Sequence, residues 1–400
     1  MKYLILVFSL FLFFSCSENP SAINAKEIAQ NAIILDSHID VPFRLWNQHL
    51  KGLEIDDISG STEGDFDFIR ARKGGLNVPF FSIYLPASTQ SDGTSHKMAN
   101  ELIDLVEDIV TLNPGKFFLI RSTQEINTLK KKGVVGIALG MENGAPIEGN
   151  LSRVQYYFDR GIRYITLTHS KTNHISDSSY DKNIQWHGLS EFGKNLISEM
   201  NRVGIMIDIS HVNDEAFYQA IEISEVPVIA SHSSLRHFTP GFDRNVDDAM
   251  LSKLAEKGGV LQINFGSSFI SQRSRDYSAE MEEYLQEKFG EERSNLSEEI
   301  ITEARRKFVF ENEYPFATLD EVLDHFDRVV RLVGINHVGI GSDYDGVGDT
   351  LPIGLKDVSS YPNLIQGLLE RGYSQKDIEK ILGGNLMRVW RQVEEYASRY

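Results

Sequence analysis

The sequence predicts a single (β/α)8 barrel of the TIM type, and three observations carry that prediction. Short apolar runs rich in Val, Ile and Leu recur eight times, with helical stretches between them. Most of these runs are continuous rather than alternating, the pattern of parallel strands covered on both faces. His, Asp or Glu stands at the end of one run after another. The competing fold is an open doubly wound sheet, which would spread those end residues along a line. No G-x-G-x-x-G follows any of the runs, which argues against a dinucleotide-binding sheet.

The predicted strands are residues 33–40, 77–85, 134–141, 163–168, 204–210, 226–231, 259–265 and 337–342. Between them, residues 189–203 place Leu189, Phe192, Leu196, Met200 and Val203 at three- and four-residue steps, a one-sided apolar stripe. Residues 247–257 and 319–333 carry similar spacing, and Gly204 and Gly258 stand where a helix commonly closes before a strand. About residues 271–315 the chain is highly charged, with Glu280, Glu282, Glu283, Glu291, Glu292, Glu298 and Glu299. This stretch reads as a helical insertion before the last strand. The barrel domain is expected over 31–400, after a linker at 17–30.

The N-terminus reads as a targeting segment. Lys2 precedes an apolar run from residue 3 to residue 14, then Ser15 and Cys16, then a polar stretch. That run is too short for a membrane span and has the layout of a secretory signal. Cys16 directly after a small residue has the form of a bacterial lipoprotein signal, so residues 1–16 are expected to be the signal peptide, with Cys16 lipidated. The expected location is then outside the cytoplasm, on the periplasmic or cell-surface side of a membrane, held only by that anchor. Cys16 is the one cysteine in the sequence, so no intrachain disulfide forms and any homodimer is non-covalent. Lys and Arg number 40 against 57 Asp and Glu, a net charge of −17 with no basic cluster, which excludes nucleic acid as a partner.

Chemistry-bearing residues collect at the predicted strand ends. The first strand finishes Asp36-Ser37-His38-Ile39-Asp40, where i and i+2 side chains share a face, so His38 and Asp40 can grip one ion. Glu142, His169, His211, His232 and Asp343 end later strands. In a barrel all these ends surround one mouth, where active sites form. Imidazole with carboxylate suits zinc or a similar divalent ion. Three His and two carboxylates exceed the needs of one catalytic zinc, so two ions sharing a carboxylate and holding a hydroxide is the economical arrangement. Taken singly, each residue has a plainer role: Asp40 can cap the following turn, Glu142 can be a surface carboxylate, and Arg244 can pair with Asp243 or Asp247. His49, His96, His187, His325 and His337 are read as structural, and His174 and His237 as secondary pocket candidates.

These stretches resemble the membrane (renal) dipeptidase family of zinc metallopeptidases over most of the chain. The resemblance rests on Asp36-Ser37-His38-Ile39-Asp40, Met141-Glu142-Asn143-Gly144, Leu167-Thr168-His169-Ser170, Met206 to His211, Pro227 to Ser234, Arg244-Asn245-Val246 and Gly339 to Gly346, in that order. It implies two zinc ions per subunit, His38 and Asp40 on one, His211 and His232 on the other, with Glu142 bridging. It further implies that His169 contacts the substrate carbonyl, that Arg244 binds the free C-terminal carboxylate, and that Asp343 moves protons, with Asp345 the alternative carrier. The implied reaction is hydrolysis of dipeptides, with tolerance of a D-residue at the C-terminal position. The family usually has two glycines after the glutamate, where this chain has Asn143-Gly144. The alternatives are another metal-dependent hydrolase on the same barrel, acting on an N-acyl amino acid, lactone or phosphoester, and a non-catalytic binding lipoprotein. The former typically begins His-x-His rather than His-x-Asp, and the latter typically lacks ligands that are all present here.

Overall fold

A computed structural model describes residues 24–129 and 133–400. The expected signal peptide, Cys16 and the first part of the expected linker lie outside the described residues. The strands are β1 (Ile34–Ile39), β2 (Leu76–Tyr84), β3 (Phe117–Leu119), β4 (Val135–Glu142), β5 (Ile162–Thr166), β6 (Met206–Asp208), β7 (Ile229–Ala230), β8 (Val260–Ile263) and β9 (Val338–Ile340). Eight of them pair in parallel in the order β1-β2-β4-β5-β6-β7-β8-β9. The circle is drawn together where Asp343 N–H donates to His38 O (3.0 Å) and Asp40 N–H donates to Tyr344 O (2.9 Å). All eight predicted runs are barrel strands, and the fold is the TIM-type (β/α)8 barrel.

Two features differ from the sequence reading. β3 is an extra strand outside that order, paired with the N-terminal half of β4. Three residues with Phe118 exposed give too short an apolar pattern to read in advance. Residues 25–31, mostly assigned to the linker, instead form a helix. Asn24 caps it by accepting from Lys26 N–H, and its Ile28 and Ala29 are buried in the main core. A seven-residue amphipathic segment is short enough to pass for polar linker when only composition is read.

The charged insertion is helical, with helices Gln272–Phe289 and Glu298–Glu311 between β8 and β9. A second apolar cluster takes Leu35, Val78, Phe80, Ala138, Tyr164, Met206, Ile229 and Val260 from seven barrel strands and adds Leu386, Val389, Trp390 and Val393 of the C-terminal helix. Residues contributed all around a barrel can meet only in its interior, so this helix closes the end opposite the mouth. No helix among the described residues is long and apolar enough to cross a membrane.

Candidate active site

The strand ends open into a cavity of about 930 Å³, lined by residues that include Asp40, Tyr84, Glu142, His169, Tyr180, His211, His232 and Asp343. The backbone reaches this geometry with visible effort. β1 pairs irregularly with β2 between Asp36 and Ile39. His211 and Asp343 adopt left-handed φ values of 70° and 64°, which non-glycine residues hold only where surrounding contacts impose it. Asp40 occupies the N-cap of helix Val41–Leu50 yet makes no capping bond, so the capping role open to it in the sequence is not taken.

Glu142 is the centre. Its Oε2 lies 3.5 Å from His38 Nε2, and its Oε1 lies 3.1 Å from His211 Nε2 and 3.2 Å from His232 Nε2. His211 Nε2 and His232 Nε2 are themselves 2.8 Å apart, while His38 Nε2 is 3.4 Å from Asp40 Oδ2. His38 Nε2 and Asp40 Oδ1 are buried without a hydrogen-bond partner among the described residues. Bare imidazole nitrogens facing one another around a buried carboxylate repel unless a proton or a cation lies among them. Nitrogen and oxygen donors so arranged fit zinc or a similar divalent ion. Three overlapping groups are close enough to hold an ion: His38 with Glu142 and His232, Glu142 with His169 and His211, and His38 with Asp40 and Asp343.

Electrostatics agrees with this donor set. Burial pushes the Glu142 carboxyl up, but the charges of His38 and His169 and the hydrogen bonds of His211 and His232 hold it well below the usual carboxylate range. Burial, reinforced by Arg244 and neighbouring imidazoles, holds His211 and His232 well below their ordinary value, which keeps them in the neutral form that binds metals. Burial, with the charges of Asp40 and Glu142, pushes Asp343 up to about 8. Its carboxyl accepts from Asn264 Nδ2 at 2.7 Å.

Arg244 is only 3% exposed. It donates to Ser233 Oγ (2.5 Å) and to His232 O (2.7 Å), and its Nε has no hydrogen-bond partner among the described residues. The surface ion pair open to it in the sequence does not form: Arg236 takes Asp243 at 3.4 Å, and Asp247 caps a helix. A buried guanidinium that forms no ion pair among the described residues is a ready anion site. His169 stands across Glu142, 3.5 Å from Oε1, with its ring edge against Tyr84.

A sequence profile of the membrane dipeptidase family, peptidase family M19, matches residues 23–400. The chain belongs to that family. Among curated relatives, it is 32% identical over 383 residues to an uncharacterized dipeptidase of Schizosaccharomyces pombe, covering 92% of this chain and 82% of that protein. It is 31% identical to Dipeptidase 3 of Mus musculus, covering 92% of this chain and 65% of that protein. Among solved structures, a probable dipeptidase of Pseudomonas aeruginosa superposes with a TM-score of 0.79 at 26% identity, over 93% of this chain and 98% of that one. A metallopeptidase of Rhodobacter sphaeroides, solved with a phosphinate mimic of the dipeptide L-Ala-D-Ala, shares the fold with a TM-score of 0.73 at 23% identity, over 91% and 100% of the two chains. The protein is thus a metallodipeptidase of family M19.

All the residues singled out at strand ends meet at this one dipeptidase mouth. His49, His96, His187, His325 and His337 do not line it, and neither do His174 and His237. His174 instead packs on Phe192, and His237 on Phe238. Sequence reading missed the residues that hold the site from behind. Tyr164 OH meets His38 Nδ1 at 2.8 Å, Ser82 Oγ donates to Glu142 Oε2 at 3.2 Å, and Ser231 Oγ lies 2.8 Å from His232 Nδ1. Asp36 accepts from His38 N–H, Ser342 N–H and Tyr361 OH. One signal was available: Asp36 and Asp208 are acidic residues inside otherwise apolar strand runs, and burying them there requires hydrogen-bond donors.

Proposed function

We propose that this dipeptidase works with two zinc ions, His38, Asp40 and Glu142 holding one and Glu142, His211 and His232 the other. The observation that carries the reading is the division of the Glu142 carboxylate, one oxygen toward His38 and the other toward His211 and His232. Bound zinc would polarise the scissile carbonyl and lower the pKa of a water to about 7. Arg244 grips the free C-terminal carboxylate of the substrate, which selects dipeptides over longer chains running on past that point. His169, kept neutral by burial, donates a hydrogen bond to the carbonyl oxygen as negative charge builds on it. Asp343 takes up the proton released by the attacking water and passes it to the leaving nitrogen. A D-residue at the C-terminal position is accepted because the grip is on the carboxylate, while the cavity of about 930 Å³ gives its side chain room in either configuration. The phosphinate mimic of L-Ala-D-Ala bound by the Rhodobacter relative supports the same substrate class. Export with acylation at Cys16 is the form in which we expect the enzyme to occur.

The test is release of free amino acids from L-Ala-D-Ala and L-Ala-L-Ala, with and without chelator, on protein whose zinc has been counted. Chelator-sensitive release of both, from protein with two zinc ions per chain, is the expected result. Absence of release from fully loaded protein would move the substrate to another amide or ester.

A further inference from the structure

Behind His232 a line of hydrogen bonds leads away from the cavity. His232 Nδ1 lies 2.8 Å from Ser231 Oγ, and Ser231 Oγ donates to Asp208 Oδ2 at 2.6 Å. Asp208 is fully buried. Its Oδ1 accepts from the backbone N–H of Ser210 (3.0 Å) and of Ser231 (2.8 Å), and its Oδ2 also accepts from Thr166 Oγ1 (2.5 Å). A carboxylate only accepts, so the direction of the line is fixed. The Ser231 proton points to Asp208, the Ser231 lone pair faces His232, and His232 carries its proton on Nδ1. That tautomer leaves Nε2 bare toward Glu142. The other imidazoles are backed differently. His38 Nδ1 meets the neutral phenol of Tyr164 at 2.8 Å, and His211 Nδ1 has no hydrogen-bond partner among the described residues.

We propose that Asp208, acting through Ser231, is a positioning residue for the metal centre: it locks His232 in the tautomer that ligates and raises metal affinity at the half of the site made by His211 and His232. The inference rests on the two-ion reading above and extends it to residues outside the ligand set. A ligating histidine normally gives its second N–H to such a partner, and loss of the partner costs roughly 10- to 100-fold in metal affinity.

Two substitutions separate this role from a merely structural one. Ser231→Ala cuts the line but leaves Asp208 its bonds to Ser210, Ser231 N–H and Thr166. Asp208→Asn keeps the volume, but with Oδ1 retaining the backbone bonds, an NH2 group faces Ser231. The Ser231 hydroxyl then donates to His232 Nδ1 and drives the ring toward the tautomer protonated on Nε2, which cannot ligate. Asp208→Asn is therefore the more damaging of the two. Tyr164→Phe tests the other half, because it removes the partner of His38 alone.

The experiment titrates Zn2+ into metal-stripped full-length protein against a chromophoric chelator at fixed pH, with circular dichroism to verify that each stripped variant is folded. Wild type is expected to bind two ions. In Ser231→Ala one ion weakens about 10- to 100-fold and the other is unchanged; Asp208→Asn weakens the same ion further, and Tyr164→Phe weakens the other one. Unchanged constants in Ser231→Ala, or a smaller effect in Asp208→Asn than in Ser231→Ala, would overturn the proposal. A wild type that binds one ion overturns the two-ion reading on its own. The relay then stands if Ser231→Ala still weakens that ion and falls if it does not.

Discussion

Glu142 shows how much one side chain carries at the residue scale. Its two oxygens face different imidazoles, so Glu142→Gln replaces one acceptor by a donor and removes the negative charge both halves share. Activity is expected to fall by more than the roughly 100-fold that loss of an outer hydrogen-bond partner costs, while the circular dichroism spectrum is retained. Near-wild-type turnover would refute the bridging role. Arg244 makes a different kind of contribution. Charge-assisted hydrogen bonds contribute about 1.5–3 kcal/mol, so Arg244→Ala should raise KM for free dipeptides by roughly 10- to 100-fold and leave C-terminally amidated analogues nearly unaffected. An equal response from both would remove Arg244 from the carboxylate grip. Most of these residues were legible in the sequence, because a His, Asp or Glu closing an apolar strand run has few structural reasons to be there. The supporting groups Tyr164, Ser231 and Ser82 were not, since tyrosine and serine within strands are common and nothing local marks the ring or carboxylate they will meet.

Whole elements are held to the site by buried polar ties. Helix Leu319–Val333 is fixed by His325, which accepts from Leu235 N–H through Nδ1 (3.1 Å) and donates to Ile270 O through Nε2 (3.0 Å). It thereby joins the segment after His232 to the start of the insertion. Burial pushes His325 down to about 4 from an ordinary 6.5, so the unfolded chain takes up this proton first as the pH falls. Stability is therefore lost between pH 6.5 and 4, by up to about 3 kcal/mol for this group, and is fully present above that window. The urea-measured stability advantage of wild type over His325→Gln should shrink by most of that amount between pH 7.5 and pH 4.5; an advantage that does not change with pH would exclude His325 as the cause. The turn after β4 rests on one asparagine. Asn143 holds a left-handed φ of 83°. Asn tolerates that region better than most residues, and here its side chain is tied to Leu85 O, Ala145 N–H and Asn173.

Taken as a whole molecule, the barrel has a polar mouth and an apolar floor, and the floor depends on the C-terminal helix. Trp390 is fully buried, edge-on to Phe80 at 5.2 Å, within the cluster built from seven strands. Trp390→Ala is expected to cost about 3–5 kcal/mol, read as a lower urea midpoint at unchanged slope, with metal stoichiometry intact in the folded fraction. An unchanged midpoint would mean that the helix does not support the barrel. The sequence by itself determined the (β/α)8 architecture, the insertion before β9, the family and the ring of candidate metal-ligating side chains. Each of these is written in local periodicity or in a residue placed at a strand end, and such signals survive without knowledge of contacts. Only the tertiary structure decided how the Glu142 oxygens are shared, which nitrogen of each histidine faces inward, and that Arg244 is buried without an ion pair among the described residues. It alone also revealed the β3 strand and the helix at 25–31. Those outcomes depend on groups tens to hundreds of residues apart, such as Asp36 with Tyr361 or His38 with Tyr164. Their meeting is set by barrel closure and not by any neighbour in the chain.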